Sequence, residues 1–186
     1  MMSDTATLVF DPQPVRTTFS LDGVAPLPDR SVTFDLGYAS VSESYLSSDP
    51  PKAEELSAAL SVVELHLDDV VRDLNSIRSP DDGRTAFEMT VRDGRVIGVG
   101  PIFANLAAVE LGHGVDDIDE FELTRDAVED VFRTIATESL EDRLFNPGLD
   151  SHVAPVLVGG ACLVVEAYRC WGLEAVTVRA GEESVL

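Results

Sequence analysis

Basic residues are scarce in this sequence. Lysine and arginine together number 13, against 34 aspartates and glutamates, and the net charge is −21 over 186 residues. Lys52 is the only lysine in the sequence. A surface this negative repels polyanions, so the composition argues against DNA, RNA and anionic membranes as partners. It argues equally against long polyphosphate chains.

Long apolar runs are also missing. The longest, Val153 to Val165, contains two glycines and stops at Glu166, well short of the roughly 20 residues that a membrane-spanning helix needs. The first residues lack a basic region followed by an apolar stretch, which argues against a secretory signal. We therefore expect a cytoplasmic protein with no membrane span, folded as a single domain.

Cysteine is rare as well. Cys162 and Cys170 are the only two, and both fall on one predicted helix. Eight helical residues span about 12 Å, which is too far for a disulfide between them. We expect both to be small, buried apolar side chains rather than redox centres.

Three segments near the start have the composition of β-strands, rich in valine, threonine, phenylalanine and leucine. They are residues 5–10, 15–21 and 31–36. Three consecutive strands predict an antiparallel meander. Further along, Asp93–Gly94 lies between the alternating apolar residues of 87–91 and Val96–Ile97, which predicts a hairpin.

Apolar residues recur at alternating steps of four and three after the Pro50–Pro51 pair. They are Leu56, Leu60, Val63, Leu67, Val70, Leu74 and Ile77. This stripe predicts a long amphipathic helix, with a capping side chain in 47–49 and the prolines in its first turn. The stripe fits either a helix lying across a sheet or a coiled-coil seam, and we favour the sheet.

Shorter helices are predicted after Gly37, over 102–111, after the capping residue Thr124 and around Leu140. The segment 152–178 is predicted to contain a short strand, a turn at Gly159–Gly160, an apolar helix ended by Gly172 and a last strand. A meander followed by strand–helix units gives a mixed α/β sheet with helices on its faces. This layout matches a single lobe of the ribonuclease H-like, actin-like ATPase fold.

Four stretches, in their order and spacing, resemble one protein family. They are DLGYASVSESYLSSDPPKAEEL (35–56), GVGPIFANLAAVELG (98–112), LTRDAVEDVF (123–132) and NPGLDSHVAPVLVGGACLVVEAYRCWGLEAVTV (146–178). Together they resemble the second of the two actin-like lobes of the Ppx/GppA phosphatases, which are exopolyphosphatases and guanosine pentaphosphate phosphohydrolases. The resemblance implies that residues 1–186 form one domain equivalent to that C-terminal lobe.

The resemblance also implies where a phosphate site would lie. Asp11 stands at the position of the conserved aspartate of the family's first phosphate loop in this lobe and is the candidate catalytic residue. Gly98 and Gly100 stand in the second phosphate loop. Gly159 and Gly160 stand where actin-like proteins let a nucleotide approach the sheet. These four glycines are the candidate phosphate- or nucleotide-binding residues.

Prolines interrupt both phosphate loops where the family has glycine-rich turns. Pro12 and Pro14 follow Asp11, and Pro101 follows Gly100. Proline has no N–H to donate, and backbone N–H groups are what a phosphate-binding nest is made of. We therefore expect both loops to be poor phosphate sites, and Gly98–Pro101 to be a tight turn into a helix.

No set of residues predicts a metal centre. His66 and His113 each lie near aspartates, but no tetrahedral set of ligands accompanies either of them. We expect surface histidines beside carboxylates and no cofactor, with Mg²⁺ required only if the chain is active.

The resemblance and its departures together imply a catalytically inactive Ppx/GppA-like lobe that acts as a binding or regulatory protein. Its partner would be a second copy in a homodimer, or another protein. Two alternatives stay open. One is a subunit of a split exopolyphosphatase or guanosine pentaphosphate phosphohydrolase, and the other is a sensor that binds nucleotide without hydrolysing it.

Overall fold

The computed structural model describes residues 6–24, 29–76, 78, 83–114 and 120–179. Within these ranges the strands are β1 (Thr7–Pro12), β2 (Thr17–Asp22), β3 (Arg30–Phe34), β4 (Arg95–Val99), β5 (Phe121–Thr124) and β6 (Ala175–Arg179). The helices are α1 (Tyr38–Tyr45), α2 (Ala53–Leu74), α3 (Ala86–Asp93), α4 (Pro101–Leu111), α5 (Arg125–Thr137), α6 (Leu140–Arg143) and α7 (Leu157–Trp171).

The strands form one six-stranded mixed sheet in the order β3-β2-β1-β4-β6-β5. β1, β2 and β3 are antiparallel neighbours, with Phe10 opposite Phe19 and Phe19 opposite Val32. β4 lies parallel to β1, and β6 lies parallel to β4. β5 forms the other edge as an antiparallel partner of β6. The predicted fold class, a mixed α/β sheet with an N-terminal meander, is therefore confirmed.

The helices pack on the face of the sheet that carries Phe10 and Phe19. The steps from β1 to β4 and from β4 to β6 move in the same direction across the sheet. Right-handed crossovers then bring the connecting helices to the same face. Accordingly, the ring of Phe10 meets Phe103 of α4 at a centroid distance of 5.1 Å, and the ring of Phe19 meets Trp171 of α7 at 4.9 Å. The side chains that alternate with these along the meander are mainly threonine and serine.

Helix α7 lies at the centre of the helical layer. It packs against α1, α2, α4 and α5, and every residue from Leu157 to Val165 is buried. The predicted stripe of α2 buries Val63, Leu67, Val70 and Leu74. Because α2 contacts β3 as well as α7, it is a helix lying over the sheet, as we favoured. Ile77, the last residue of the predicted stripe, lies outside the described residues.

The hairpin predicted around Asp93–Gly94 is wrong, because residues 86–93 form helix α3. The Thr85 hydroxyl accepts a hydrogen bond from the Glu88 N–H at 3.1 Å, and the Glu88 carboxylate accepts one from the Thr85 N–H at 2.9 Å. This reciprocal capping box stabilises a helix start. The buried residues of α3 recur at helical spacing, so the alternating apolar positions did not reflect a strand.

The strand predicted before Gly159–Gly160 is also wrong. Residues 151–156 form turns, and α7 begins at Leu157, so the glycine pair lies inside the first helical turn. A short apolar run has the same composition in a buried strand and in a buried helix. Strand β5 was not predicted, because it has only four residues and buries only Leu123 fully.

The start of α2 differs from the prediction. Pro50–Pro51 precede the helix, which begins at Ala53. The Glu55 carboxylate accepts hydrogen bonds from the Ser47 hydroxyl at 2.5 Å and the Lys52 N–H at 2.8 Å, and these bonds lower its pKa to about 2. Asp49 instead accepts a hydrogen bond from the first N–H group of α6, that of Leu140, at 2.9 Å. The predicted cap at Thr124 is confirmed, since its hydroxyl accepts from the Ala127 N–H at 3.3 Å.

A buried arginine connects the segments on either side of α6. Arg143 is 3 % exposed and donates hydrogen bonds to the carbonyls of Ile135 at 3.1 Å, Glu138 at 2.9 Å and Ala154 at 3.0 Å. The carboxylate of Asp49, 3.7 Å away, supplies a counter-charge. Burial lowers the pKa of the guanidinium, and the hydrogen bonds and the aspartate offset this desolvation cost.

Replacing Arg143 by lysine is expected to lower the free energy of unfolding by about 3 kcal/mol. A lysine ammonium lacks the planar fork that reaches several carbonyls at once, so buried carbonyls lose their partner. The matched control is Arg133→Lys, at a side chain that is 72 % exposed, where the change should stay below about 0.5 kcal/mol. Urea unfolding followed by circular dichroism measures both. Equal stabilities for the two variants would contradict the structural role of Arg143.

Candidate functional site

The carboxyl ends of the parallel strands β1 and β4 lie side by side at one edge of the sheet. Phe10 is paired with Gly98, so Asp11 and the turn after β4 meet there. In open α/β sheets this is the edge at which ligands bind. We call it the carboxyl edge and define it by residues 11–16, residues 98–100 and the first turns of α1, α4 and α7.

The candidate catalytic residue Asp11 is held by a neighbouring side chain. It is 6 % exposed, and Gln13 Nε2 donates a hydrogen bond to its Oδ2 at 2.9 Å. Arg16 Nε donates in turn to Oε1 of Gln13 at 3.1 Å. The phenol of Tyr38 lies near enough to Asp11 to be affected by its charge. Burial, followed by that charge, raises the pKa of the phenol. No sequence pattern pointed to Gln13 or Tyr38, because only the fold brings them to Asp11.

The turn between β1 and β2 presents carbonyl groups, not N–H groups, to helix α1. Gln13 O accepts a hydrogen bond from the Tyr38 N–H at 3.1 Å, and Pro14 O accepts from Ala39 at 2.9 Å and Ser40 at 3.2 Å. The N–H groups of a first helical turn are the donors that bind anions in phosphate sites. Here the turn itself occupies them.

Gly37 allows this close contact between the turn and α1. A Cβ atom at Gly37 would lie 2.1 Å from the carbonyl oxygen of Gln13 and 2.5 Å from the backbone nitrogen of Arg16. Both are backbone atoms of the turn, so a side chain at residue 37 would push the turn away from the helix.

The second candidate loop is a tight turn from β4 into α4. A Cβ at Gly98 would lie 2.4 Å from the ring of Phe103, so its α-carbon is covered by that side chain. Gly100 has a φ of +86° and precedes Pro101, the first residue of the helix. A Cβ at Gly100 would lie 3.4 Å from Oδ1 of Asp11. Of the four candidate glycines, Gly100 is therefore the one the structure brings beside the Asp11 carboxylate.

Gly159 and Gly160 allow α7 to approach two other helices closely. A Cβ at Gly159 would lie 2.2 Å from Oγ of Ser42 and 2.5 Å from the carbonyl oxygen of Tyr38, both in α1. A Cβ at Gly160 would lie 2.4 Å from Cδ1 of Ile102 in α4. Protein atoms occupy the space beside both α-carbons, and a nucleotide-binding role for the pair stays a prediction.

His66 and His113 contact an aromatic ring and a backbone carbonyl, respectively. The ring of His66 stacks on Phe34 with centroids 4.9 Å apart, and Nδ1 of His113 lies 2.8 Å from the carbonyl oxygen of Gly114. Of the cysteines, Cys162 is buried as expected. Cys170 is exposed, which corrects the expectation for that residue. It lies near the C-terminal end of α7, on the turn that faces the carboxylates of α2.

Among the described residues, one group of three side chains that could bind a metal lies close together: Glu64, Glu166 and Cys170. Their ligand atoms all lie within 4.8 Å of one another. Burial, followed by the charge of Glu166, raises the pKa of the Cys170 thiol to about 12. A thiol binds metal as its thiolate, so a metal bound by this group would have to displace the proton of Cys170.

This chain is similar to known proteins in its three-dimensional structure. No family model matches the sequence, and no curated protein matches it. The crystal structure of an exopolyphosphatase-like protein aligns with a TM-score of 0.79 and 16 % identity, over 96 % of this chain and 57 % of its own. A Ppx/GppA phosphatase from Aquifex aeolicus aligns with a TM-score of 0.73 and 18 % identity, over 94 % of this chain and 53 % of its own. An exopolyphosphatase from Cytophaga hutchinsonii aligns with a TM-score of 0.70 and 15 % identity, over 96 % and 54 %.

The chain shares the fold of the Ppx/GppA proteins. It spans about half the length of these solved relatives, between 53 and 57 %. The structural alignments establish the fold. At identities of 15 to 18 % they establish no more than the fold, so the chemistry has to be argued from the residues of this chain. Within the described residues, no helix combines the length and apolar character needed to cross a membrane.

Gly159→Ala is expected to destabilise the protein by about 2 kcal/mol, because the new methyl group meets backbone atoms of α1 that cannot turn away. Gly160→Ala meets side-chain carbons of the buried Ile102 and no backbone atom of α4. Because a side chain can shift more easily than a backbone, and alanine gains about 1 kcal/mol of helix propensity over glycine, this variant should lose less stability than Gly159→Ala. Urea unfolding compares the two, and a Gly159→Ala variant as stable as the parent would contradict the helix contact.

Alkylation of Cys170 by iodoacetamide is expected to be slow at pH 7 and to rise about tenfold per pH unit up to pH 10, because the pKa of its thiol is about 12. Glu64→Gln should increase the rate, since it removes a charge that raises this pKa. Glu54→Gln, at an exposed residue in the first turn of the same helix, is the matched control. Mass spectrometry over time gives the rates, and a plateau near pH 9 would indicate an unperturbed thiol.

Proposed function

We propose that this chain is a binding or regulatory protein that uses the Ppx/GppA fold without phosphohydrolase activity. The observation that carries the proposal is the turn after Asp11, whose carbonyl groups accept the N–H groups of Tyr38, Ala39 and Ser40. Phosphoryl transfer depends on positioned donors and metal ions that hold the charge of the transition state. A turn that presents acceptors to α1 removes those donors from the site.

Two further features support the absence of hydrolysis. The prolines at residues 12, 14 and 101 have no N–H to donate to a phosphate oxygen. One oxygen of Asp11 already accepts the amide of Gln13, so its carboxylate is engaged. Mg²⁺ at a phosphate site is often held by one or two carboxylates together with the substrate. Asp11 would be a single carboxylate in that role, with Oδ1 as the oxygen that Gln13 does not engage.

The proposed partner is a protein, either a second copy of this chain or another polypeptide. The net charge of −21 disfavours nucleic acid and polyphosphate. Val15, at the tip of the turn after β1, is 65 % exposed, and Phe145, after α6, is 80 % exposed. Contiguous apolar patches mark interfaces, whereas single exposed apolar side chains are ordinary, so these two residues are positions at which the proposed interface can be tested by substitution. A homodimer would bury them with no second gene product.

Two alternatives are favoured by separate observations. The position of Gly100 beside Asp11, where an added Cβ would lie 3.4 Å from the carboxylate oxygen, favours a subunit of a split phosphatase, in which a first-lobe polypeptide supplies the missing donors. The carboxyl-edge position of the glycine pair favours a nucleotide sensor. The sensor is the weaker of the two, because side-chain and backbone atoms already fill the space beside Gly159 and Gly160.

The purified chain is expected to release no phosphate from guanosine pentaphosphate or tripolyphosphate in the presence of Mg²⁺. Asp11→Asn, which keeps the shape of the side chain, is the control and should give the same background. Malachite-green detection measures release, and light scattering after size exclusion measures the mass of the particle. Release that Asp11→Asn abolishes would overturn the inactive assignment, and a strictly monomeric particle would remove the homodimer.

A further inference from the structure

A cleft of about 580 Å³ opens between α2, α3 and the C-terminal turn of α7, at the end of α7 opposite to the carboxyl edge. Phe87 and Trp171 form its apolar floor, with ring centroids 5.1 Å apart in an edge-to-face arrangement. Val71 and Val91 line its walls. Small-molecule sites have volumes of roughly 300–1,000 Å³ and combine such apolar walls with a few charged groups.

The side of the cleft formed by α2 and α7 carries negative charge. Asp68 and Cys170 line it, and Glu64 and Glu166 each lie one helical turn before them. Glu64 and Asp68 have no hydrogen-bond or ion-pair partner in the part of the chain that the structure describes. The carboxylates of Glu64 and Glu166 and the sulfur of Cys170 lie within 4.8 Å of one another, and the same carboxylates, with Asp68, contribute to the raised pKa of the Cys170 thiol.

The side of the cleft formed by α3 is closer to neutral. Arg84 and Arg92 line it, and both lie near Asp93, with Arg84 Nη1 at 3.2 Å and Arg92 Nε at 4.0 Å from its carboxylate oxygens. Glu88 is engaged in the capping box at the start of α3. Both arginines therefore lie near the carboxylate of Asp93 at the end of α3, while Glu64 and Asp68 across the cleft have no ion-pair partner among the described residues.

We propose that this cleft binds a small organic cation, an amine joined to a flat apolar group. The apolar group packs against Phe87 and Trp171, and the ammonium group lies beside Asp68, with Glu64 one helical turn away. These two carboxylates supply the counter-charge, since the third nearby carboxylate, Glu166, already pairs with Arg169 at 3.5 Å. An anion of the same shape meets repulsion at the same place. The proposal does not depend on the function proposed for the carboxyl edge.

Trp171 makes the test direct, because it is the only tryptophan in the sequence and it forms the floor of the cleft. Its fluorescence is titrated with 2-phenylethylamine, a cation at pH 7, and with two probes of similar shape, neutral 2-phenylethanol and anionic 3-phenylpropionate. The amine is expected to give a saturable change, the alcohol a weaker one and the anion none. Added salt should weaken the binding of the amine, since the charges are near the surface.

Asp68→Asn is expected to weaken amine binding by about threefold while leaving the fold intact, because it removes a partly exposed counter-charge. Asp69→Asn is the matched control. Asp69 is the adjacent exposed aspartate, which pairs with Arg72, and its loss should leave binding unchanged.

Three results would overturn the proposal: no saturable change with the amine, an equal change with the anion, or equal effects of the two variants. A saturable change with zinc chloride but none with the amine would overturn it as well and would assign the carboxylate–thiol group to a metal.

Discussion

The close approach of α7 to α1 and α4 is the contact on which the rest of the molecule depends. Two adjacent glycines in the first turn of α7 leave no side chain between its backbone and the neighbouring helices, and Ser42, Tyr38 and Ile102 fill the space instead. This contact sets the position of α1 against α7. The position of α1 in turn sets where its first N–H groups meet the turn after β1. The packing of α7 against α1 therefore determines which N–H groups are free at the carboxyl edge, although neither helix glycine touches Asp11.

The fold was largely predictable where periodicity and turn chemistry agreed. The meander, the long helix α2 and the cap at Thr124 each combined an apolar pattern with a suitable boundary residue, and the structure has all three. The failures occurred at short apolar runs. Residues 87–91 alternate as a strand would, but the capping box of Thr85 and Glu88 makes them a helix. Residues 153–156 were read as a strand because burial against other helices gives the same composition as burial in a sheet.

The nearness of some candidate residues was predictable from the sequence, their connections were not, and their roles stay predictions. Asp11 and Gly100 come together as expected for strand ends at one edge of a sheet. The hydrogen bond from Gln13 to Asp11 and the nearness of Tyr38 to that carboxylate depend on the path of the turn, which no local pattern specifies. Gly159 and Gly160 were interpreted as a turn between a strand and a helix. They lie instead within the first turn of α7, and their neighbours are the helices α1 and α4. The cleft at Trp171 involves three helices distant in sequence, so no single segment indicated it.

The direction of the hydrogen bonds between the turn after β1 and α1 also constrains how this protein can evolve. The acceptors are main-chain carbonyls, and every amino acid has one. Exchanging Pro12 or Pro14 for glycine would restore N–H groups to the turn, but it would not release the first N–H groups of α1. Releasing them requires the turn to move off the helix, which a side chain at residue 37 would force. The loss of an anion site at this helix end therefore rests on the absence of a side chain at Gly37 as much as on the two prolines.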